Sequence, residues 1–296
     1  MQAKAQSKAI IFGAGNAGVA AKNNLQNRFD VVAFCDNDPV KIGSKLEGVT
    51  ILSPKELPEQ EVDVILIASE FFEKIKQQLL QLGIESVKIQ ILSAKEIKSL
   101  QLGAASKIND LSVNILLMVC KALKQARLRY CADAGTLLGI YRDGALIPWD
   151  DDLDVAVCST QWRQVLQTVT AILPELEVFT NVSWEVQVLH APQDFCAIKQ
   201  GDVRSLKLQP VSGNNDLPMM DFFVKYIVGE WMDYTLSSRG IRMPSEHFTQ
   251  LDNMQFSGTC INIPHNTELY LERHYGDWRT PKQHWDLSEL KNATVY

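Results

Sequence analysis

Between Ile147 and Val157 the chain reads Ile-Pro-Trp-Asp-Asp-Asp-Leu-Asp-Val-Ala-Val, placing Asp150, Asp151, Asp152 and Asp154 almost side by side. On an extended strand, residues two apart share a face. Leu153, Val155 and Val157 then point one way, and Asp150, Asp152, Asp154 and the small Ala156 point the other. Crowded carboxylates repel one another and resist losing water, so such a face is costly unless a divalent cation compensates it. A solvated acidic turn leading into a strand is the plain alternative. Three features weigh against it: the acids sit inside a β-branched strand, a second apolar strand from Met219 to Val224 carries a lone Asp221, and Gly135-Thr136-Leu137-Leu138-Gly139 lies a short way upstream. A strand-to-helix turn at Gly135 and Thr136 would present backbone N–H groups and a helix N-terminus to a phosphate.

A glycine-containing turn, a strand bearing Asp-x-Asp and a third carboxylate on a neighbouring strand match the general nucleotidyltransferase arrangement. Asp152, Asp154 and Asp221 would hold one or two Mg²⁺ (or Mn²⁺) ions that bridge nucleotide phosphates and align an attacking oxygen.

At these residues the sequence resembles the LicD family, whose relatives include fukutin and fukutin-related protein. The resemblance is carried by Gly135 to Gly139, by Tyr141-Arg142-Asp143-Gly144 and by Ile147 to Asp154, and continues through Met220-Asp221-Phe222-Phe223. Phe256-Ser257-Gly258, Ile263-Pro264-His265-Asn266, Tyr270-Leu271, Tyr275-Gly276-Asp277-Trp278 and Pro281 follow in the family's order, so the resemblance covers Leu111 to Trp285. It implies transfer of a phospho-alcohol, phosphocholine or a phospho-polyol, from a CDP-linked donor to a sugar of a surface glycan, releasing CMP. By the same resemblance Asp152 and Asp154 are metal ligands, Asp221 is a third ligand or the base for the acceptor hydroxyl, and Arg142 and Lys199 are phosphate clamps. Asp150 and Asp151 are open between an outer supporting role and a structural one. A nucleotidyltransferase releasing pyrophosphate from an NTP, and a non-catalytic adaptor of glycan assembly, are the rival readings; donor headgroup, acceptor sugar and oligomeric state are not legible.

A second motif stands near the start. Gly13-Ala14-Gly15-Asn16-Ala17-Gly18 follows a strand and opens a helix, and Asp36 closes the next strand. A tight turn, a close backbone approach and a ribose-binding acid are the parts of a nucleotide or nucleotide-sugar site. The unit lacks a second βαβ half, which leaves a nicotinamide without a place. With Asp36-Asn37-Asp38, Lys41-Ile42-Gly43 and Gly48-Val49 it resembles the small Rossmann-like domains of sugar-modifying acyltransferases, and ligand binding and a docking role both stay open.

The elements that would position these residues follow from hydrophobic period. Strands are expected at Ala9 to Phe12, Val31 to Phe34, Val64 to Ala68 and Val87 to Leu92, with helices after Gly15 and from Phe71 to Leu82. That alternation gives an α/β Rossmann-like parallel sheet over residues 1–102. Ser93 to Asp110 reads as a linker or linking helix, Leu111 to Arg129 as one long helix, and residues 103–296 as an α+β nucleotidyltransferase-fold domain.

The formal net charge of −6 and the lack of Lys/Arg runs argue against a nucleic-acid partner. No signal-peptide pattern and no apolar run long enough to span a bilayer are present, which reads as a cytoplasmic protein. Six cysteines without CxxC spacing suit reduced core thiols better than disulfides or zinc, and His247, His265, His274 and His284 lack ligand spacing.

Overall fold

The computed structural model describes residues 6–69, 71–97, 100, 102–103, 106–211, 217–236, 239–282 and 289–295. His284 and Trp285 lie outside them. The described residues up to Ile97 form one compact unit, and those from Leu100 onwards form another.

The first unit runs β1 (Ser7–Phe12), α1 (Asn16–Leu25), β2 (Phe29–Cys35), β3 (Lys45–Leu46), β4 (Val49–Leu52), β5 (Val64–Ile67), α2 (Phe72–Gln81), β6 (Ile89–Ile91) and α3 (Ala94–Ile97). Its sheet has the order β3-β4-β2-β1-β5-β6, parallel throughout except for the short β3–β4 pair. Parallel strands are apolar on both faces because crossover segments cover them. Accordingly Ala9, Ile11, Phe34 and Leu66 pack with α1, while Ile10, Phe12, Ile65 and Ile67 pack with α2. The expected strands and helices are present. The hairpin of β3 and β4 is an addition, since its few residues carry no period to read, and the last strand is shortened because Ser86–Lys88 turn into a 3₁₀ helix.

The second unit opens on α4 (Ser106–Gln125), whose Ser112, Ile115, Leu116, Val119, Cys120 and Leu123 make one buried stripe. The helix therefore begins inside the segment read as a linker or linking helix, and α3 occupies another part of it. The start of α4 is obscured because Ile108 stands alone among Ser106, Lys107, Asn109 and Asp110, too little to mark a helical face.

Next come β7 (Tyr130–Ala132), α5 (Ala134–Arg142), β8 (Asp152–Cys158), α6 (Trp162–Ala171), α7 (Leu173–Thr180), β9 (Trp184–His190), β10 (Val203–Pro210), β11 (Met219–Val228), β12 (Trp231–Leu236) and β13 (Arg239–Pro244). The chain continues through α8 (Glu246–Thr249), the hairpin of β14 (Leu251–Phe256) and β15 (Thr259–Pro264), then α9 (Thr267–Tyr275) and β16 (Ala293–Val295). The main sheet runs β16-β13-β12-β11-β10-β9, with β8 and β7 branching from β11. β11 is its axis: Met219–Lys225 lie parallel to β8, while Tyr226–Val228 pair with β12 instead. Among the described residues no helix is long and apolar enough to cross a membrane. The cysteines are unbridged; Cys35, Cys120 and Cys131 are buried, whereas Cys196 is exposed.

Candidate active site

β8 begins at Asp152, so Asp150 and Asp151 belong to the turn before the strand. Sequence alternation had placed Asp150 on the strand. The turn holds instead because Asp150 N–H donates to the Ile147 carbonyl at 3.1 Å, and Asp151 N–H donates to Asp150 Oδ1 at 3.2 Å. Asp154 is buried at 4 % exposure inside the strand. Parallel register sets Asp221 of β11 directly beside it.

The three carboxylates expected to act together thus share one face of two adjoining strands. Asp150, Asp151 and Asp152 also present oxygens that all lie within 4.8 Å of one another, a spacing that could hold a cation. Burial, then repulsion from Asp152, Asp150, Asp221 and Asp133, pushes the Asp154 carboxyl well above the usual carboxylate range. Asp221 is pushed up to about 6 by burial, partly offset by Lys207, with Asp152 raising it again.

α5 is fitted against these acids. Its cap is Asp133, whose Oδ1 accepts from Ala134 N–H at 2.9 Å. Thr136 N–H donates to Asp154 Oδ2 at 3.3 Å, and Asp154 N–H donates to Thr136 Oγ1 at 2.8 Å. Of the phosphate cradle expected at Gly135 and Thr136, the Thr136 N–H is turned on the protein's own Asp154 carboxylate, which a helix N-terminus stabilises. Gly135 is required for the fit: a Cβ there would run into the Asp150 carboxylate and touch Asp154.

Behind α5 lies a buried polar cluster that motif reading missed. Lys225 of β11 meets Asp133 Oδ2 at 2.6 Å, with both side chains 1 % exposed, and its Nζ lies 2.9 Å from the Tyr234 ring centroid. Tyr270 OH donates to Asp133 Oδ1 at 2.6 Å, and the Tyr234 hydroxyl bonds to His274 Nε2. Burial works against ionising Asp133, but Lys225 and His274 prevail and hold its carboxyl low. Burial pulls His274 down to about 4, so it is neutral near pH 7. Lone polar residues in apolar runs were the available signal; Asp221 was read that way, and Lys225, four residues on, carried the same mark.

The two residues expected as phosphate clamps each pair with a nearby acid. Arg142 ends α5 with its guanidinium chelating the neighbouring Asp143 at 2.7 to 3.0 Å and donating to the Trp278 carbonyl at 3.3 Å. Lys199 is exposed in the β9–β10 connection and pairs with Asp194 at 3.1 Å. It lies beyond the end of β10 remote from the acids, whereas Lys207, within β10, lies opposite Asp221. Trp278 is buried and packs edge-on against Tyr141, as a core turn. His247 and His274 are buried, and His265 pairs with Asp252 at 3.2 Å.

In the first unit, α1 starts at Asn16 after an uncapped Gly15. Gly13 has φ +121° and abuts the Ala68 carbonyl, and a Cβ on Gly18 would strike the Gly13 carbonyl, so both glycines serve close packing. The Asp36 carboxylate is already engaged: Oδ2 accepts from Ala14 N–H at 2.9 Å and from Lys41 Nζ at 3.0 Å, and Oδ1 accepts from Asp38 N–H at 2.9 Å. Burial raises Asp36, yet these bonds together bring it below its ordinary value. The acid read as a ribose ligand pins the glycine loop to the β2 end.

A parallel α/β unit followed by an α+β unit with a carboxylate-lined site matches two known families. Residues 5–90 match the family described as C2185-like, N-terminal, and residues 127–266 match the LicD/FKTN/FKRP nucleotidyltransferase domain. Over those residues of its second unit the chain is similar to the LicD family. It is 27 % identical over 161 residues to the human and mouse proteins named ribitol 5-phosphate transferase FKRP, a match covering 53 % of this chain and 30 % of each of theirs. The matched stretch spans under a third of those relatives. Among solved structures, the chain is similar to UDP-D-quinovosamine 4-dehydrogenase from Vibrio fischeri at 28 % identity over 29 % of this chain and 76 % of that one, with a TM-score of 0.25. It is also similar to ANT(2")-Ia in complex with adenylyl-2"-tobramycin at 11 % identity over 60 % of this chain and 82 % of that one, with a TM-score of 0.33. Likenesses this loose carry no argument about activity.

Proposed function

We propose that the second unit, with a nucleotidyltransferase-type fold, transfers a phospho-alcohol from a CDP-activated donor to a sugar hydroxyl of a cell-surface glycan. The observation that carries this reading is the meeting of Asp152, Asp154 and Asp221 on adjoining strands with Asp150 and Asp151 at their edge. The name of the FKRP relatives supports a phospho-polyol as the group moved.

The residues fit a divalent cation: Asp150, Asp151 and Asp152 are closely spaced, and the charge crowding around Asp154 would be relieved by one. Mg²⁺ or Mn²⁺ held by Asp152 and Asp154, with Asp150 and Asp151 in support and Asp221 serving as a third ligand or as the base, would neutralise phosphate charge. In the base role Asp221, its carboxyl pushed up to about 6 in the ion-free protein, would be mostly ionised at neutral pH and still basic enough to take a hydroxyl proton as that bond weakens. The acceptor oxygen bonds to the alcohol-bearing phosphorus, the bridge to CMP breaks, and the proton passes to Asp221.

Incubation with CDP-choline, CDP-glycerol, CDP-ribitol and NTPs, in Mg²⁺ or EDTA, tests the reading by mass spectrometry of the released nucleotide. CMP release that EDTA abolishes is expected. Pyrophosphate release from an NTP would replace it with nucleotidyl transfer, and inertness toward every donor would leave an adaptor.

A further inference from the structure

A donor of this class brings a pyrophosphate to a site already crowded with carboxylates, and the residues first read as its clamps are committed elsewhere. Arg142 chelates Asp143, and Lys199 sits past the far end of β10. Lys225 is sealed against Asp133. The sheet register supplies another cation. Asp154 of β8 lies beside Asp221 of β11, and Asp221 lies opposite Lys207 of β10. Registered neighbours share a face, so carboxylate, carboxylate and ammonium form one row across three adjoining strands.

Lys207 Nζ stands 3.5 Å from Asp221 Oδ2, a longer separation than the 2.6 Å of the sealed Lys225–Asp133 pair. Its side chain is 24 % exposed, against 1 % for Lys225. An ammonium carries three donors, so it can keep Asp221 and bind a phosphate oxygen as well. We propose that Lys207 grips the pyrophosphate of the nucleotide donor, its positive charge standing next to the acid cluster so that phosphate oxygens lie between two positive centres once a cation is bound. This rests on the reading that the donor is nucleotide-activated, and it does not depend on the base or on the group transferred.

The competing role is neutralisation of Asp221 alone. Calorimetry on the full chain with CDP, UDP, ADP and GDP, each with Mg²⁺, separates the two, using Lys207→Met and Lys207→Arg beside the wild type. A pyrophosphate grip predicts that whichever diphosphate binds the wild type binds Lys207→Met on the order of tenfold or more weakly, with partial recovery in Lys207→Arg. Melting temperatures are recorded in parallel, and Lys207→Gln is read instead if the Met variant does not fold. Unchanged affinity alongside an altered melting temperature would leave only neutralisation and overturn the proposal, as would a wild type that binds none of the four. Diphosphate binding lost in Lys207→Met, with no CMP released from any CDP donor, would refute phospho-alcohol transfer and leave the role of Lys207 standing.

Discussion

At Asp221 the carboxyl is held near 6 in the folded protein, against about 3.9 for an unfolded aspartate. The folded state then binds this proton more tightly, so the contribution of Asp221 is most favourable below about pH 4 and is lost as pH rises toward 6. The span is worth at most roughly 3 kcal/mol. Denaturant unfolding in EDTA at stepped pH should show a smaller fall in stability over that window for Asp221→Asn than for wild type; parallel curves would contradict the burial argument. Asp154→Asn should abolish turnover while the melting temperature holds or rises, because an amide oxygen can still accept from Thr136 N–H and the repulsion is gone. A variant that unfolds would show that the acid is structural, and one that stays active would remove Asp154 from the catalytic set. Gly135→Ala pushes on Asp150 and should lower Mg²⁺-dependent activity far more than stability, which paired kinetics and melting curves would reveal.

α5 is fixed at its start by three elements: Asp133 caps it, Lys225 of β11 meets that cap, and Tyr270 of α9 donates to it. Lys225→Met removes the cation and leaves a buried carboxylate, a change that costs about 3–5 kcal/mol. Adding Asp133→Asn should return part of that loss, and a double-mutant cycle in urea measures the return; additive losses would show that the two residues act separately. This level of organisation was the least legible beforehand. Asp152, Asp154 and the Gly135 turn could be found because they are local in sequence and alternate with apolar residues, and Asp221 because a lone charge in an apolar strand needs a partner. Lys207 and Lys225 gain their meaning from strand register, and no local period encodes which strands become neighbours. For Arg142 the relevant neighbour is local, since Asp143, the very next residue, holds its guanidinium.

For the whole chain, the two units differ in what their sites leave available. The Asp36 carboxylate binds Ala14 N–H, Asp38 N–H and Lys41, whereas the acids of the second unit repel one another. Hydrogen exchange with CDP and Mg²⁺ should accordingly slow amides in β8, β11 and the first turn of α5 and leave the Gly13 to Gly18 loop unchanged. Protection of that loop would make the first unit a nucleotide site in its own right. The branching of the sheet at β11 also governs when the second site can exist. β8 and β11 are parallel, and the chain must lay down α6, α7, β9 and β10 between them before Asp221 reaches Asp154. Parallel pairing over such a separation carries a loop-closure cost met before any contact repays it, which makes it slow. The assembled acid row is therefore expected to form late in folding. Mg²⁺ added during refolding should leave the early phases untouched and stabilise only the final species, so the unfolding rate, rather than the folding rate, should respond to the ion.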